Sequence, residues 1–415
     1  MNHYDLIVLG GGITGVCAAV AAGRRGQKVL LIEKSGSLGG AMVNMYVNPF
    51  MRYFTGNYNE NKIVNKGLFI EILNDLKEMG GMASHACFNE EYMKVVLDRK
   101  CTQAGVQVLF LAHFIGLEKE GDTIKSITVE TRMGPYTFSA DTFIDASGDA
   151  MLAYKAGCPV QVGREEDNAC QPMTLCFRMA GVNMTLFKAA KPAIQLLYNK
   201  FQAEGKIKNP RENVLTFIHT SDGVLHLNST RVVGLSTLDP FDISKASMIA
   251  REQMMELFYF LKENAPGCKN ATLLSSAPEI GVRESRMIKG AYTLTADDLL
   301  ECREFEDSIA VGCYSIDIHS PDGSGTTIKK IPAGKWYHIP YRTLLPQKAD
   351  NLLVAGRTIS STHEAQSAYR VLPIVANIGE AAGLAAYLSK AESTSLAEVP
   401  MDKLHTLLEQ NNLMY

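Results

Sequence analysis

The chain has 415 residues, 46% of them hydrophobic and 20% charged, with a formal net charge of -3. That is an ordinary globular composition, long enough for roughly two or three domains, and it lacks the basic clusters that nucleic acid or an anionic membrane calls for. No unbroken apolar run reaches the length of about eighteen residues that a membrane span needs, and the nine scattered cysteines form no CxxC pair, which points to reduced thiols, a cytoplasmic setting and no structural zinc or iron–sulfur cluster.

Residues 4–9 read as a short apolar strand entering a core at once, which leaves no room for a signal peptide. The strand meets Gly10-Gly11-Gly12-Ile13-Thr14-Gly15, then a helix with Ile13, Val16, Cys17, Val20 and Ala21 at helical spacing, then a second strand at 28–32 ending in Glu33. That order suits a dinucleotide. Gly10 permits a tight turn off the strand, Gly12 lets bare backbone approach a pyrophosphate, and Gly15 lets the helix pack close to the sheet. The helix N-terminus offers unpaired N–H groups and a partial positive charge. Glu33 lies about twenty residues beyond the turn, where an acid accepts hydrogen bonds from a ribose.

Lys34-Ser35-Gly36-Ser37-Leu38-Gly39-Gly40 is a loop, and 41–53, rich in Met, aromatics and Asn, reads as one wall of a flat apolar pocket. Two helices follow at 67–79 and 90–104, the first with Leu68, Phe69, Ile72, Leu73 and Leu76 on one face, the second stopped by Gly105. A strand at 106–111 precedes alternating stretches at 114–119, 124–130 and 136–140, separated by turns, which read as an antiparallel meander returning to the main sheet through 142–145. Asp145-Ala146-Ser147-Gly148-Asp149 is a second strand-to-glycine turn before a helix at 150–156.

From about 163 to 335 the pattern changes, with strand-like stretches at 172–179 and 232–236, a long helix at 243–263 carrying Ile249, Met254, Leu257, Phe258 and Leu261, and a mobile surface loop at 320–325. The first pattern returns with a strand at 351–355, Gly356-Arg357, and a helix at 374–386 whose Ala and Gly let it lie close to neighbouring backbone. The polar residues His363, Glu364, Tyr369 and Arg370 fall between that strand and helix. His363 is a candidate proton acceptor, since its ordinary pKa is about 6.5. Arg370 is a candidate partner for a carboxylate. Arg283, Glu284 and Arg286 form a charge group that reads equally as an interdomain ion-pair cluster or a substrate contact, with Arg283 as the candidate. Asp317 and His319 could in principle bind a metal, but two ligands do not make a site, and no metal is expected.

Together the blocks Gly10–Gly15 with Glu33, Leu38-Gly39-Gly40, Asp145–Asp149, Gly281–Arg286, 351–357 and Tyr369-Arg370-Val371-Leu372-Pro373 with Gly379–Gly383 resemble the FAD-dependent oxidoreductases of the glutathione-reductase-like flavoprotein superfamily, and within it a large bacterial family of that description. The resemblance implies an α/β fold: a Rossmann-like FAD-binding domain with a parallel sheet and β-meander, assembled from 1–44, 84–162 and 336–415, plus an inserted α+β substrate domain with a mixed sheet at 163–335, and a helical segment, 45–83, near the interface. It implies that Gly10, Gly12, Ile13, Thr14 and Gly15 hold the FAD pyrophosphate and Glu33, with Lys34 beside it, the adenosine ribose. Gly39, Gly40, Ala41 and Met42 would run along the pyrophosphate and ring. Ala146, Ser147 and Gly148 would flank the adenine side, Gly356 and Arg357 the ribitol and phosphates, and Val371 to Ile374 the pyrimidine end of the ring.

Family members that bind FAD covalently use a His near the second glycine pair. Met42, Asn44 and Met45 stand there instead, so the implied FAD is non-covalent. No second GxGxxG and no redox CxxC follow, so electrons would come from a small-molecule substrate or from an unidentified donor or acceptor. The expected function is hydride transfer between FAD and a small polar molecule, acidic or sugar-like. The alternatives are a flavin-bearing electron-transfer partner without a substrate of its own, and an enzyme in which FAD is structural.

Overall fold

The computed structural model describes residues 2–56 and 62–415, so residues 57–61 of the expected 45–83 segment lie outside the described residues. β1 (Asn2–Leu9), α1 (Ile13–Arg24) and β2 (Val29–Ile32) form the opening βαβ unit. α2 (Ala41–Asn44), α3 (Leu68–Glu78), α4 (Glu90–Gln103) and β3 (Gln107–Leu109) follow. β4 (His113–Glu120), β5 (Thr123–Thr131) and β6 (Gly134–Asp145) make the meander, and α5 (Met151–Lys155) leaves it.

These six strands, joined by a seventh at Leu352–Val354, build a seven-stranded sheet. β6 joins its two halves. Its first residues pair antiparallel with β5, from Gly134 to Ser139, and its later ones pair parallel with β1, from Phe138 to Asp145. Side chains alternate across the sheet, so Leu6 and Val8 enter the core beneath α1 while Ile7 and Leu9 enter the core beneath the meander. Both faces are covered, as a parallel sheet requires.

The next segment holds β7 (Val160–Val162), β8 (Phe177–Ala180), α6 (Met184–Ala203), β9 (Thr216–Ile218), β10 (Leu225–Leu227), α7 (Pro240–Asn264), β11 (Thr272–Ser276) and β12 (Arg286–Ile288). Its main sheet, in the order β11-β8-β10-β9, is antiparallel throughout rather than mixed. The short turn at 219–224 between β9 and β10 permits only that direction. The sheet and the two long helices enclose a second core, from Met173 to Ile280. α7 starts where Asp239 accepts hydrogen bonds from the N–H groups of Phe241 and Asp242, with Pro240 in the first turn.

α8 (Ala296–Leu300), β13 (Ser308–Gly312), β14 (Ile316–His319), β15 (Thr326–Lys329) and β16 (Tyr337–Pro340) come next. Their apolar residues Leu299, Ile309, Ile316 and Tyr337, with Leu294 just before α8, pack into the first core. β17 (Leu352–Val354) lies parallel against β6, and α9 (His363–Tyr369), α10 (Leu372–Glu392) and α11 (Met401–Gln410) complete the chain. Among the described residues α10 is the one helix long and apolar enough to cross a membrane, and 89% of that stretch is buried inside the protein.

Four expectations are corrected. Residues 232–236 are not a strand; Val232 makes a single bridge to Met173. Of 172–179 only the end is strand, because the earlier residues bond to isolated neighbours such as Gly281 and Thr230. Ile249 of α7 is 36% exposed, since it lies off the face that carries Met254, Leu257 and Leu261. The loop at 320–325 is tied down: Arg164 pairs with Asp322, and Arg231 donates to the carbonyls of Gly323 and Gly325.

Candidate active site

The glycine turn after β1 has the form the sequence anticipates. Gly10 has φ +107°, and a Cβ there would stand 2.4 Å from the carbonyl oxygen of Ala146, so the first and second strand-to-glycine turns touch through backbone. At Gly15 a Cβ would meet the Gly10 oxygen at 1.8 Å. Gly12 differs: a Cβ built on it meets no atom within 4 Å. The Gly12 face is therefore an open cleft. Gly40 closes one side, where a Cβ would come within 2.9 Å of the Gly12 Cα, and Gly39 donates its N–H to the Gly11 carbonyl at 2.8 Å. Gly356, next to Thr14, closes another.

α1 has no side-chain cap at its N-terminus, so the N–H groups of Ile13, Thr14 and their neighbours in the first turn point out of the helix unpaired. Glu33 is buried at the end of β2, accepting from the Gly11 N–H at 2.6 Å and the Ser35 N–H at 2.8 Å. A carboxylate has about four acceptor positions, so two remain for a sugar. A pyrophosphate fits this cradle of bare backbone, free N–H groups and open space.

Other cofactor candidates divide. Lys34 lies at the rim, near Glu279. Ser147 is used internally, its hydroxyl donating to Asp145 and accepting from the Met151 N–H. Arg357 holds Gly148 in place, donating to the Gly148 and Val282 carbonyls at 2.7 Å and pairing with Asp149. Met42 and Ile374 are fully buried in the first core. Ala41, Met45 and Val371 instead face a cavity next to the cleft.

That cavity has a volume of about 450 Å³. One wall comes from the cleft: Ala41, Met45, Arg357, Val371 and Leu372 at the uncapped start of α10. The opposite wall is the antiparallel sheet with its approaches, through Thr174, Cys176, Leu215, Phe217 and Asn228. Arg283 and Arg370 line it. His363 does not. Thr362 caps α9 and turns His363 inward, where it is 4% exposed and its Nδ1 lies 2.8 Å from Glu284 Oε1. The Glu284 carboxylate also accepts from the Gln171 N–H, so of the charge group at 283–286 only Arg283 reaches the cavity.

Four more residues join them: Arg211 and Tyr314, which sequence reasoning does not select, and Asp317 and His319, which it raises only as an incomplete metal pair. Arg211 lies 108 positions from His319 in the chain, so no local spacing signals the meeting. His319 Nδ1 receives Arg231 Nη2 at 3.1 Å, Arg211 Nη1 at 3.5 Å and Thr326 Oγ1 at 3.3 Å. A guanidinium can only donate, so Nδ1 is the acceptor and the ring proton sits on Nε2. Burial first, then Arg283, Arg370, Arg211 and Arg231, push the His319 pKa far below its ordinary range, which fixes the ring as neutral. His319 therefore offers the cavity an N–H donor. Tyr314 donates to Asp317 at 2.6 Å, and burial, then the Asp317 charge, raises its pKa. Burial, followed by repulsion from Arg370 and Arg211, lowers Arg283 to about 9.

A βαβ cradle for a dinucleotide, opening onto a cavity roofed by a second sheet, defines a dinucleotide-binding protein with a ligand site beside its cofactor cleft. The chain belongs to the FAD dependent oxidoreductase family, whose model matches residues 5–408. It is an enzyme, and its cofactor is FAD. It is 38% identical over 76 residues to dihydrolipoamide dehydrogenase of Chaetomium thermophilum, covering 18% of this chain and 13% of that protein. It is 25% identical over 183 residues to digeranylgeranylglycerophospholipid reductase of Methanoculleus marisnigri, covering 41% of this chain and 45% of that protein. The chain thus spans less than half the length of either relative. A solved geranylgeranyl bacteriochlorophyll reductase-like protein from Thermoplasma acidophilum aligns over 99% of this chain and 84% of its own, at 13% identity and a TM-score of 0.49.

Proposed function

We propose that this enzyme transfers hydride between a small polar substrate, acidic or sugar-like, and non-covalently bound FAD, as a member of the glutathione-reductase-like superfamily, with 163–335 as its substrate-side segment. The observation that carries this reading is the two-sided wall of the cavity: the cofactor cleft supplies Ala41, Met45 and Val371, and the antiparallel sheet supplies Thr174, Leu215 and Phe217. A molecule held there touches both. The backbone from Gly10 to Gly15 with Glu33 would hold the diphosphate and ribose, and the start of α10 the ring. When bound, FAD supplies the hydride acceptor. The chain's own part is to bind, orient and exclude water. Non-covalent attachment is supported by the side chains between the second glycine pair and the cavity, Ala41, Met42 and Met45, none of which is a nucleophile.

The test is anaerobic reduction of the purified yellow protein against hydroxy acids, amino acids and sugars, followed by acid precipitation. Bleaching by one substrate class, with FAD released into the supernatant, is the expected result. Protein that stays colourless in the presence of added FAD sinks the proposal, and colour retained in the precipitate sinks its non-covalent part.

A further inference from the structure

Three guanidiniums converge on the cavity with no acid against them. Arg211, Arg283 and Arg370 all line it, and among the described residues none has a carboxylate oxygen within 4.0 Å. Their hydrogen bonds go to neutral acceptors. Arg211 Nε donates to Asn213 at 3.0 Å, Arg283 Nη1 to the Pro172 carbonyl and the Thr174 hydroxyl at 2.5 Å each, and Arg370 Nη2 to Gln171 at 3.2 Å. Arg370 Nε is buried and has no partner.

The nearby carboxylates are already committed. Glu212 pairs with Arg231 and accepts from Thr326. Glu284 accepts from His363 and the Gln171 N–H. Asp149 pairs with Arg357. Glu212 and Asp317 are the two carboxylates that line the cavity beside four arginines, and Asp317 accepts the Tyr314 hydroxyl and lies 4.0 Å from His319 Nε2. The cavity lining therefore carries surplus positive charge. A guanidinium withdrawn from water is costly unless an anion with matching acceptors sits against it, and clustered like charges add to that cost. A neutral sugar would leave the charge uncompensated.

We propose that the substrate of this site is a small organic acid, its carboxylate held by Arg211, Arg283 and Arg370, with the His319 Nε2–H as an additional donor. This rests on the reading of the cavity as the substrate site and names the class of molecule it takes.

The test titrates the FAD-loaded enzyme at constant ionic strength with succinate, malonate and benzoate, with their amides succinamide, malonamide and benzamide, with glucose, and with sodium sulfate. Flavin absorbance and thermal midpoint are the readouts. At least one carboxylate is expected to perturb the flavin spectrum and raise the midpoint, while its amide and glucose do neither at the same concentration. Arg370→Gln should weaken carboxylate binding about tenfold or more, the effect of losing a charged hydrogen-bond partner, and Arg370→Lys should recover part of it. Ligand-free Arg370→Gln should melt at or above the wild-type temperature, because it removes a part-buried cation that has no carboxylate against it; loss of binding from misfolding would lower it instead. Amides binding as tightly as acids, sulfate binding as tightly as every carboxylate, or Arg370→Gln binding acids unchanged would each overturn the inference. A yellow, dithionite-bleachable protein indifferent to all the acids defeats this inference alone; a protein that takes up no FAD defeats the flavin reading beneath it as well.

Discussion

Gly379 of α10 lies directly on Thr14 of α1: a Cβ at position 379 would stand 2.1 Å from the Thr14 carbonyl oxygen. One turn later Gly383 meets the Ala18 carbonyl at the same 2.1 Å. Both contacts are backbone on backbone, so no side chain can swing aside. They clamp two helices whose N-termini face the cofactor cleft and the cavity.

Gly379→Ala is therefore expected to cost about 2–3 kcal/mol, by forcing the helices apart in a packed core. Urea unfolding at unchanged m-value measures it. Gly116→Ala is the control, since a Cβ in that strand meets nothing within 4 Å. It should stay within about 0.5 kcal/mol of the parent. Equal effects at both positions would show that the α1–α10 contact is not as close as described.

Gly10 and Gly12 should separate folding from cofactor binding. Gly10→Ala places a Cβ 2.4 Å from Ala146 in a backbone conformation that disfavours side chains, so it should destabilise the fold itself. Gly12 has φ -66° and open space, so Gly12→Ala should fold with wild-type stability in the absence of cofactor. Its methyl group then occupies the cleft, and FAD affinity should fall about tenfold or more, about 1.4 kcal/mol. Fluorescence titration of apoprotein with FAD reads this. Undiminished FAD binding by Gly12→Ala would place the diphosphate elsewhere.

Local chemistry made the cradle legible and left the cavity obscure. The Gly10–Gly15 turn, Glu33, the meander and the close-packing glycines of α10 each depend on residues near one another in sequence, or on a period a strand or helix must show. α6 is missed because Pro192 and several lysines interrupt its apolar face. His363 reads as a polar loop residue, yet its Thr362 cap turns it into the core to meet Glu284, 79 positions away. The arginine group is assembled by tertiary packing. Its local traces are Arg283, in the charge group at 283–286, and Arg370, just before α10; Arg211 has none.

Glu380 gives the protein a predicted pH dependence. It is buried in α10, accepting from the Leu68 N–H at 2.8 Å and from Asn411 at 3.1 Å, and burial raises its pKa from 4.5 to about 7. The folded state therefore holds this proton more tightly than the unfolded chain does. The resulting stabilisation is complete below about pH 4.5 and is lost as pH rises through about 7. Glu380→Gln mimics the protonated form and should flatten that part of the stability profile, with a gain on the order of 3 kcal/mol at pH 8. Urea midpoints at several pH values decide it. A profile with the same slope in both proteins would assign the titration to another group.

Arg178 and Glu90 carry the last prediction. Arg178 sits on β8 in the antiparallel sheet, Glu90 at the start of α4, and the two form a bidentate ion pair that is 6% and 3% exposed. Tyr46 covers the guanidinium, its ring centre 4.4 Å away. The pair thus joins the second core to the layer of helices over the main sheet. Removing one partner strands a buried charge, so Arg178→Met should cost about 3–5 kcal/mol. Removing both leaves no charge to strand. The double variant Arg178→Met with Glu90→Leu should recover most of that loss, giving a large favourable coupling in a double-mutant cycle. If the two losses simply add, the pair is not a closed electrostatic unit, and the attachment of the antiparallel sheet must rest on the apolar contacts around Tyr46 instead.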